Sequence, residues 1–292
     1  MRSRSHLGLK ACALVVATLL TGASRATPAL WAPEALSSAE YDATPTFSAD
    51  GAEVFFMRAD AGFRTYRLMH ARCEAGRWTP PQPVAFAARP PAMDADPFLT
   101  ADGRRLYFIS TRQAPEKEAF DIWYVDRSPS GRWGEPVRMP EPINAEGSEL
   151  LPRMDAAGAL YFGSDRPGGL GGGDIYVARQ GQDGAWTVRN VGAPVSTPHF
   201  DYEAEVSQDG KTLVTVSDRG DRSHLYVYVR RGEAWVETGR VPARNDVFQV
   251  GPALSPDGAT LMFAQAHGAR SGEFFTYVLK PGGKPWPVTC GR

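Results

Sequence analysis

Four carboxylates stand at one recurring position of the sequence, Asp42, Asp94, Glu149 and Asp201, with Gln249 at the fifth occurrence and Asp246 close to it. Successive occurrences lie 52, 55, 52 and 48 residues apart. Carboxylates gathered by a repeat offer hard oxygen ligands and a concentrated negative field, which suits a calcium ion, an amine or a basic side chain. A pair of them also suits acid and base work on a glycosidic bond. The same periodicity allows a plainer use, in which each carboxylate braces its neighbouring loops with Arg58, Arg112, Arg166 or Arg219 as partner. Identical placement speaks against catalysis, because acid and base need environments that separate their pKa values.

Other reactive groups are few. Beyond residue 26 the histidines are His70, His199, His224 and His267, none at ligand spacing from another His or a Cys. His199 and Asp201 are the one local pair able to do acid and base work, and a loop contact is the plainer reading. No Gly-x-Ser-x-Gly elbow offers a serine nucleophile. The glycine-rich residues 168–173 lack the Lys and the following helix of a phosphate cradle, so they read as a flexible hairpin loop. Trp123 and Tyr226 fall on strand positions and read as packing rather than as a sugar platform.

The elements that must position these groups come from a repeat. Pro45-Thr46-Phe47-Ser48-Ala49-Asp50-Gly51 returns as Pro97-Phe98-Leu99-Thr100-Ala101-Asp102-Gly103 and as Pro252-Ala253-Leu254-Ser255-Pro256-Asp257-Gly258. Weaker copies run 152–158 and 204–210. Asp-Gly between apolar runs is a hairpin signal, because Gly accepts a positive φ. An apolar strand follows each turn, for example Leu106-Tyr107-Phe108, then a third strand such as Ile122-Trp123-Tyr124. A Trp opens the fourth, at Trp78, Trp133, Trp186, Trp235 and Trp286. The chain therefore predicts an all-β, five-bladed β-propeller of four-stranded antiparallel blades. No stretch shows sustained helical periodicity.

These residues resemble the TolB-like, WD-like propeller repeats, whose blades begin with a Pro-x-x-Ser-x-Asp-Gly turn. The likeness is closest to copies found beside OmpA-type peptidoglycan-binding domains, through residues 168–176 and the Trp-x-x-Pro-Val of residues 133–137. It implies a propeller and association with envelope proteins or peptidoglycan. It does not assign an activity.

At the N-terminus Arg2, Arg4 and Lys10 precede an apolar run of about ten residues and the small residues Thr21 to Ser24, the layout of a secretory signal peptide. With residues 1–26 removed, 28 basic residues face 33 acidic ones, a net charge of −5 that gives nucleic acid no footing. No later segment approaches the eighteen or so apolar residues of a membrane span. The expected domains are a signal peptide over 1–26, a lead-in over 27–40 and the propeller over 41–292. Within the lead-in, residues 31–36 are expected to join the fifth blade and close the ring. Blades one and five would then be neighbours, so Cys73 and Cys290 are the disulfide candidates in an oxidising compartment.

The functional expectation is a periplasmic or secreted, non-catalytic scaffold that binds a protein, a peptide or a peptidoglycan-type polymer. Asp42, Asp94, Glu149, Asp201 and Asp246 would lie at the channel mouth, with calcium as the one cofactor to test. A channel-mouth glycoside hydrolase and a carbohydrate lectin are the alternatives.

Overall fold

The computed structural model describes residues 27–244, 246–284, 286, 287 and 290; the signal-peptide reading falls outside them. The regular structure of the described residues is almost entirely β. After β1 (Ala29–Leu30) come β2 (Tyr41–Phe47), β3 (Glu53–Ala59), β4 (Tyr66–Glu74), and the short β5 (Arg77–Trp78) and β6 (Gln82–Pro83). A second group holds β7 (Asp94–Leu99), β8 (Arg105–Ser110), β9 (Asp121–Asp126) and β10 (Val137–Arg138). A third holds β11 (Glu149–Met154), β12 (Leu160–Ser164), β13 (Asp174–Gln180) and β14 (Trp186–Asn190). β15 (Asp201–Val206), β16 (Thr212–Ser217), β17 (His224–Arg231) and β18 (Ala234–Arg240) form the fourth. The last contains β19 (Gln249–Leu254), β20 (Thr260–His267) and β21 (Arg270–Val278).

Each group is an antiparallel meander, the arrangement expected of a propeller. Ser48 Oγ donates to Asp50 Oδ1 at 2.6 Å, Ala52 N donates to the same oxygen, and Gly51 takes φ +70°, so the repeat motif is the β2–β3 turn. In the third copy, which lacks that Asp, Asp155 at the Ser position takes over by accepting from Ala157 N and Ala159 N.

The first strands pack in cyclic order, β2 on β7, β7 on β11, β11 on β15, β15 on β19, and β19 back on β2. Alternation within strands supplies the layers between meanders. Val54 and Phe56 of β3 face Met262 and Phe274 of the last meander, while Phe55 between them faces Leu106 and Phe108 of the second.

The termini meet at the seam. Ala29 and Leu30 pair antiparallel with Thr276 and Phe275 of β21, and Trp31 N donates to Phe274 O. The pairing lies just upstream of the expected residues 31–36, of which Leu36 is buried. Because β1 takes the free edge of β21, Trp286 is not a fourth strand; it packs edge-on against Phe47 at 5.4 Å. Trp133 makes only an isolated bridge to Arg127. Cys73 and Cys290 are bonded across this seam, with Cα atoms 5.3 Å apart.

Candidate functional site: an axial cup

The repeated acids do not form an open ring. Asp42 is buried against Arg58 Nε at 2.6 Å and accepts from the Ser38 backbone and hydroxyl. Asp94 holds Arg112 at 2.8 Å and accepts from Ala88 N. Glu149 holds Arg166 at 3.0 Å and accepts from Ser164 Oγ; burial outweighs these partners and raises its pKa to about 7. Asp201 has no arginine partner among the described residues. It accepts from Thr197 N and Oγ1 at 2.6 and 2.7 Å, while Arg219 turns to Glu237 and the Tyr228 hydroxyl. Gln249 fills the fifth position with Pro242 O as acceptor, and Asp246 lies exposed beside Arg244. Asp42, Asp94 and Glu149 thus each stitch the loop before their strand to an arginine of their own sheet, whereas Asp201 binds the preceding loop alone and its buried Oδ1 has no partner among the described residues. Among the described residues no group of three or more His, Cys, Asp or Glu is arranged to hold a metal ion.

A bulge explains the misplaced face. In all five first strands the register slips at or shortly after the repeated position, between Ala43 and Thr46, Ala95 and Phe98, Leu150 and Arg153, Asp201 and Glu203, and Val250 and Ala253. Pro45, Pro97, Pro152 and Pro252 fall in or beside the bulge, where a missing N–H costs no ladder bond. Thr44, Asp96, Leu151 and Gly251, each before its Pro, have positive φ. A bulge re-aims side chains. Here it carries the residues after the acid onto the axis.

The consequence is two axial cavities. The residues four after each repeated position, Thr46, Phe98, Arg153, Glu205 and Ala253, all line a cavity of about 350 Å³ on the side of the repeat turns. The residues one after it, Ala43, Ala95, Leu150, Tyr202 and Val250, all line a second cavity of about 220 Å³. Tyr41, Phe63, Tyr66, Phe120 and Phe248 add aromatic walls to the second, and Asp96 and Glu203 belong to its lining. We call it the cup.

Side chains at the axis tie one meander to the next. Asp96 Oδ2 accepts from Leu151 N at 3.1 Å, and Glu203 Oε2 accepts from Gly251 N at 2.6 Å. Further along, Thr46 Oγ1 accepts from Leu99 N and Glu205 Oε1 from Leu254 N. Arg153, 1 % exposed, sets its Nε 2.6 Å from Glu205. Three carboxyl groups thus share one guanidinium in a poorly solvated place, and full ionisation would leave an uncompensated charge of about −2. Burial, reinforced by Asp96, raises Glu203 to about 8, and burial raises Glu205 to about 7 against the pull of Arg153. Asp96 is raised by burial, with Arg153 and Leu151 N opposing.

The remaining candidates resolve plainly. His199 is exposed, and its backbone N–H donates to Thr197 Oγ1; the Asp201 carboxylate serves Thr197, so the pair does not form. Residues 168–173 are not a loose hairpin. Leu170 N and Gly171 N donate to Asp174 Oδ2, and a Cβ on Gly171 would collide with the His199 carbonyl. Tyr226 packs between meanders, with the Arg219 guanidinium 3.5 Å from its ring centre. Neither Asp96 nor Glu203 was singled out in the sequence, although Asp94-Ala-Asp96 and Asp201-Tyr-Glu203-Ala-Glu205 show acids recurring at alternate positions in strands otherwise largely apolar.

No family model and no curated protein matches the chain. Solved structures do. A family 117 glycoside hydrolase of the marine bacterium Zobellia galactanivorans superposes with a TM-score of 0.61 at 11 % identity, covering 89 % of this chain and 93 % of that one. An assigned TolB of Agrobacterium tumefaciens gives 0.52 at 17 % identity, covering 80 % and 72 %. At these identities the likeness concerns the fold alone, and it supports an all-β, propeller-type arrangement of antiparallel four-stranded sheets.

Proposed function

We propose that the protein is an exported, five-bladed propeller that binds a protein, peptide or peptidoglycan-type polymer at the axial cup and carries out no chemistry on it. One observation carries this reading. Asp42, Asp94 and Glu149 are consumed in bracing the sheets, whereas the cup is open, aromatic-walled and lined by Asp96 and Glu203, each held by one backbone N–H. Export is supported by the leader-like N-terminus and by the Cys73–Cys290 bond, which belongs to an oxidising compartment. The cyclic packing of the first strands supports five blades. Among the described residues no helix is long and apolar enough to cross a membrane.

The test is retention of the purified protein on isolated peptidoglycan and on immobilised envelope proteins, with Val250→Trp filling the cup. Retention should fall at least tenfold in the variant, and equal retention would overturn the reading. A second reading, a glycoside hydrolase, is favoured by one feature: the cup holds two neighbouring carboxyls, Glu203 and Asp96, and burial together with the Asp96 charge raises the pKa of Glu203. Turnover of a polysaccharide panel, abolished by Glu203→Gln, would select it.

A further inference from the structure

We propose that the cup is a receptor for a protonated primary amine on an aliphatic stem, the chemistry of a lysine side chain displayed by the bound partner. This rests on the cup being the binding face and names what enters it.

The walls come first. Tyr41 meets Phe63 edge to face at 4.9 Å and Phe248 in a stacked pair at 6.1 Å, while Tyr66 meets Phe120 edge to face at 5.9 Å. Rings so arranged offer apolar faces to a methylene stem and negative π faces to a cation.

The polar lining then selects among cations. Glu203 gives Oε2 to Gly251 N and Asp96 gives Oδ2 to Leu151 N, and Glu203 Oε1 has no hydrogen-bond donor among the described residues. An independent observation is Tyr41: the residue is 2 % exposed, lines the cup, and its buried hydroxyl has no hydrogen-bond partner among the described residues. A buried hydroxyl without a partner is costly, and a ligand bearing N–H donors removes that cost. An ammonium brings three donors and needs several acceptors around one point, which the Asp96 carboxylate and the Tyr41 phenol oxygen provide, with Glu203 beside them in the same lining. A quaternary ammonium has no N–H to give and would leave those acceptors unanswered. Charge points the same way. Asp96, Glu203 and Glu205 all feel the single guanidinium of Arg153, so one further positive charge reduces the imbalance of the set.

Calorimetry with hexylamine hydrochloride, hexanol and hexyltrimethylammonium as probes tests the assignment. Hexylamine should bind at least tenfold more tightly than either of the others. Asp96→Asn should weaken it at least tenfold, and Tyr41→Phe, which removes only the hydroxyl, at least threefold, with circular dichroism unchanged in both. Asp246→Asn, outside the cup, should bind as wild type. Equal affinity for hexylamine and hexanol, or unchanged binding in a folded Asp96→Asn protein, overturns the proposal. The wider reading fails separately. If Val250→Trp still abolishes partner retention while hexylamine does not bind, only the ligand class is wrong; if hexylamine binds while Val250→Trp retains the partner, the cup is not the partner's face.

Discussion

Glu203 Oε2 lies 2.6 Å from the backbone nitrogen of Gly251, so one carboxyl both joins the fourth meander to the fifth and lines the axial cup. Its pKa, raised to about 8 by burial and by Asp96, ties that joint to pH. An unfolded Glu titrates near 4.3. Below that value both states hold the proton and the full contribution is present. Between there and about 8 only the native state holds it, so stability falls as pH rises, and it levels once the native carboxyl ionises. Glu149 and Glu205, raised to about 7, slope the same way. Urea midpoints at pH 5, 7 and 9 should therefore decline in wild type, and the decline should be shallower in Glu203→Gln, whose amide oxygen still accepts from Gly251 N. Parallel pH profiles would contradict the assignment.

Arg112 and Asp94 test the bracing role of the repeated acids. Both Asp94 oxygens take bonds from Arg112 Nη2, at 2.8 and 3.0 Å, with the Asp94 side chain 3 % exposed. Arg112→Ala leaves that buried carboxylate with one main-chain donor and should cost about 3 kcal/mol. Arg244→Ala breaks only an exposed pair with Asp246 and should stay within about 0.5 kcal/mol. Chemical denaturation checks both, and equal effects would return the acids to the status of unspent groups.

The seam makes a prediction of its own. Cys73 and Cys290 are separated by 217 residues, and closing a loop of that size in the unfolded chain is worth about 5 kcal/mol in the chain-entropy model. Cys73→Ser with Cys290→Ser should lower the denaturation midpoint, and reductant should lower that of wild type alone. Mass spectrometry of the exported protein without reductant should show no free thiol.

The period of the fold was legible because its signals are local: an Asp and a Gly at fixed offsets make the same turn wherever they recur, as Ser48, Asp50 and Gly51 do. The face of the first strand was not. A strict two-residue alternation puts Asp42 and Thr44 on one side, yet the bulge before Thr46 sends Thr44 to the axis and leaves Asp42 on Arg58. Nor did the axial positions repeat in chemistry throughout: of Thr44, Asp96, Leu151, Glu203 and Gly251, which share a place in the repeat, only Asp96 and Glu203 share a side-chain type. Trp286 misled for a different reason. An edge takes one partner, and the N-terminal Ala29–Leu30 already occupies that of β21.

Gly171 reports on the glycine-rich loop. A methyl there runs into the His199 carbonyl and the Thr197 carbonyl, both backbone, so Gly171→Ala should cost about 2 kcal/mol. Gly184→Ala, where nothing lies within 4 Å but φ is +81°, should cost about 1 kcal/mol. Thermal melts that rank the two the other way would mean that the loop yields.

The central claim is that partners meet this protein at the axial cup. Phe63, 40 % exposed, lines that cup, whereas Asp246 lies exposed and is not among its lining residues. Benzoylphenylalanine placed at position 63 and, separately, at position 246, followed by irradiation in an envelope extract, measures this directly. The account predicts a discrete adduct from position 63, suppressed by Val250→Trp, and none from position 246. Adducts from position 246 alone, or an adduct at position 63 indifferent to Val250→Trp, would contradict it.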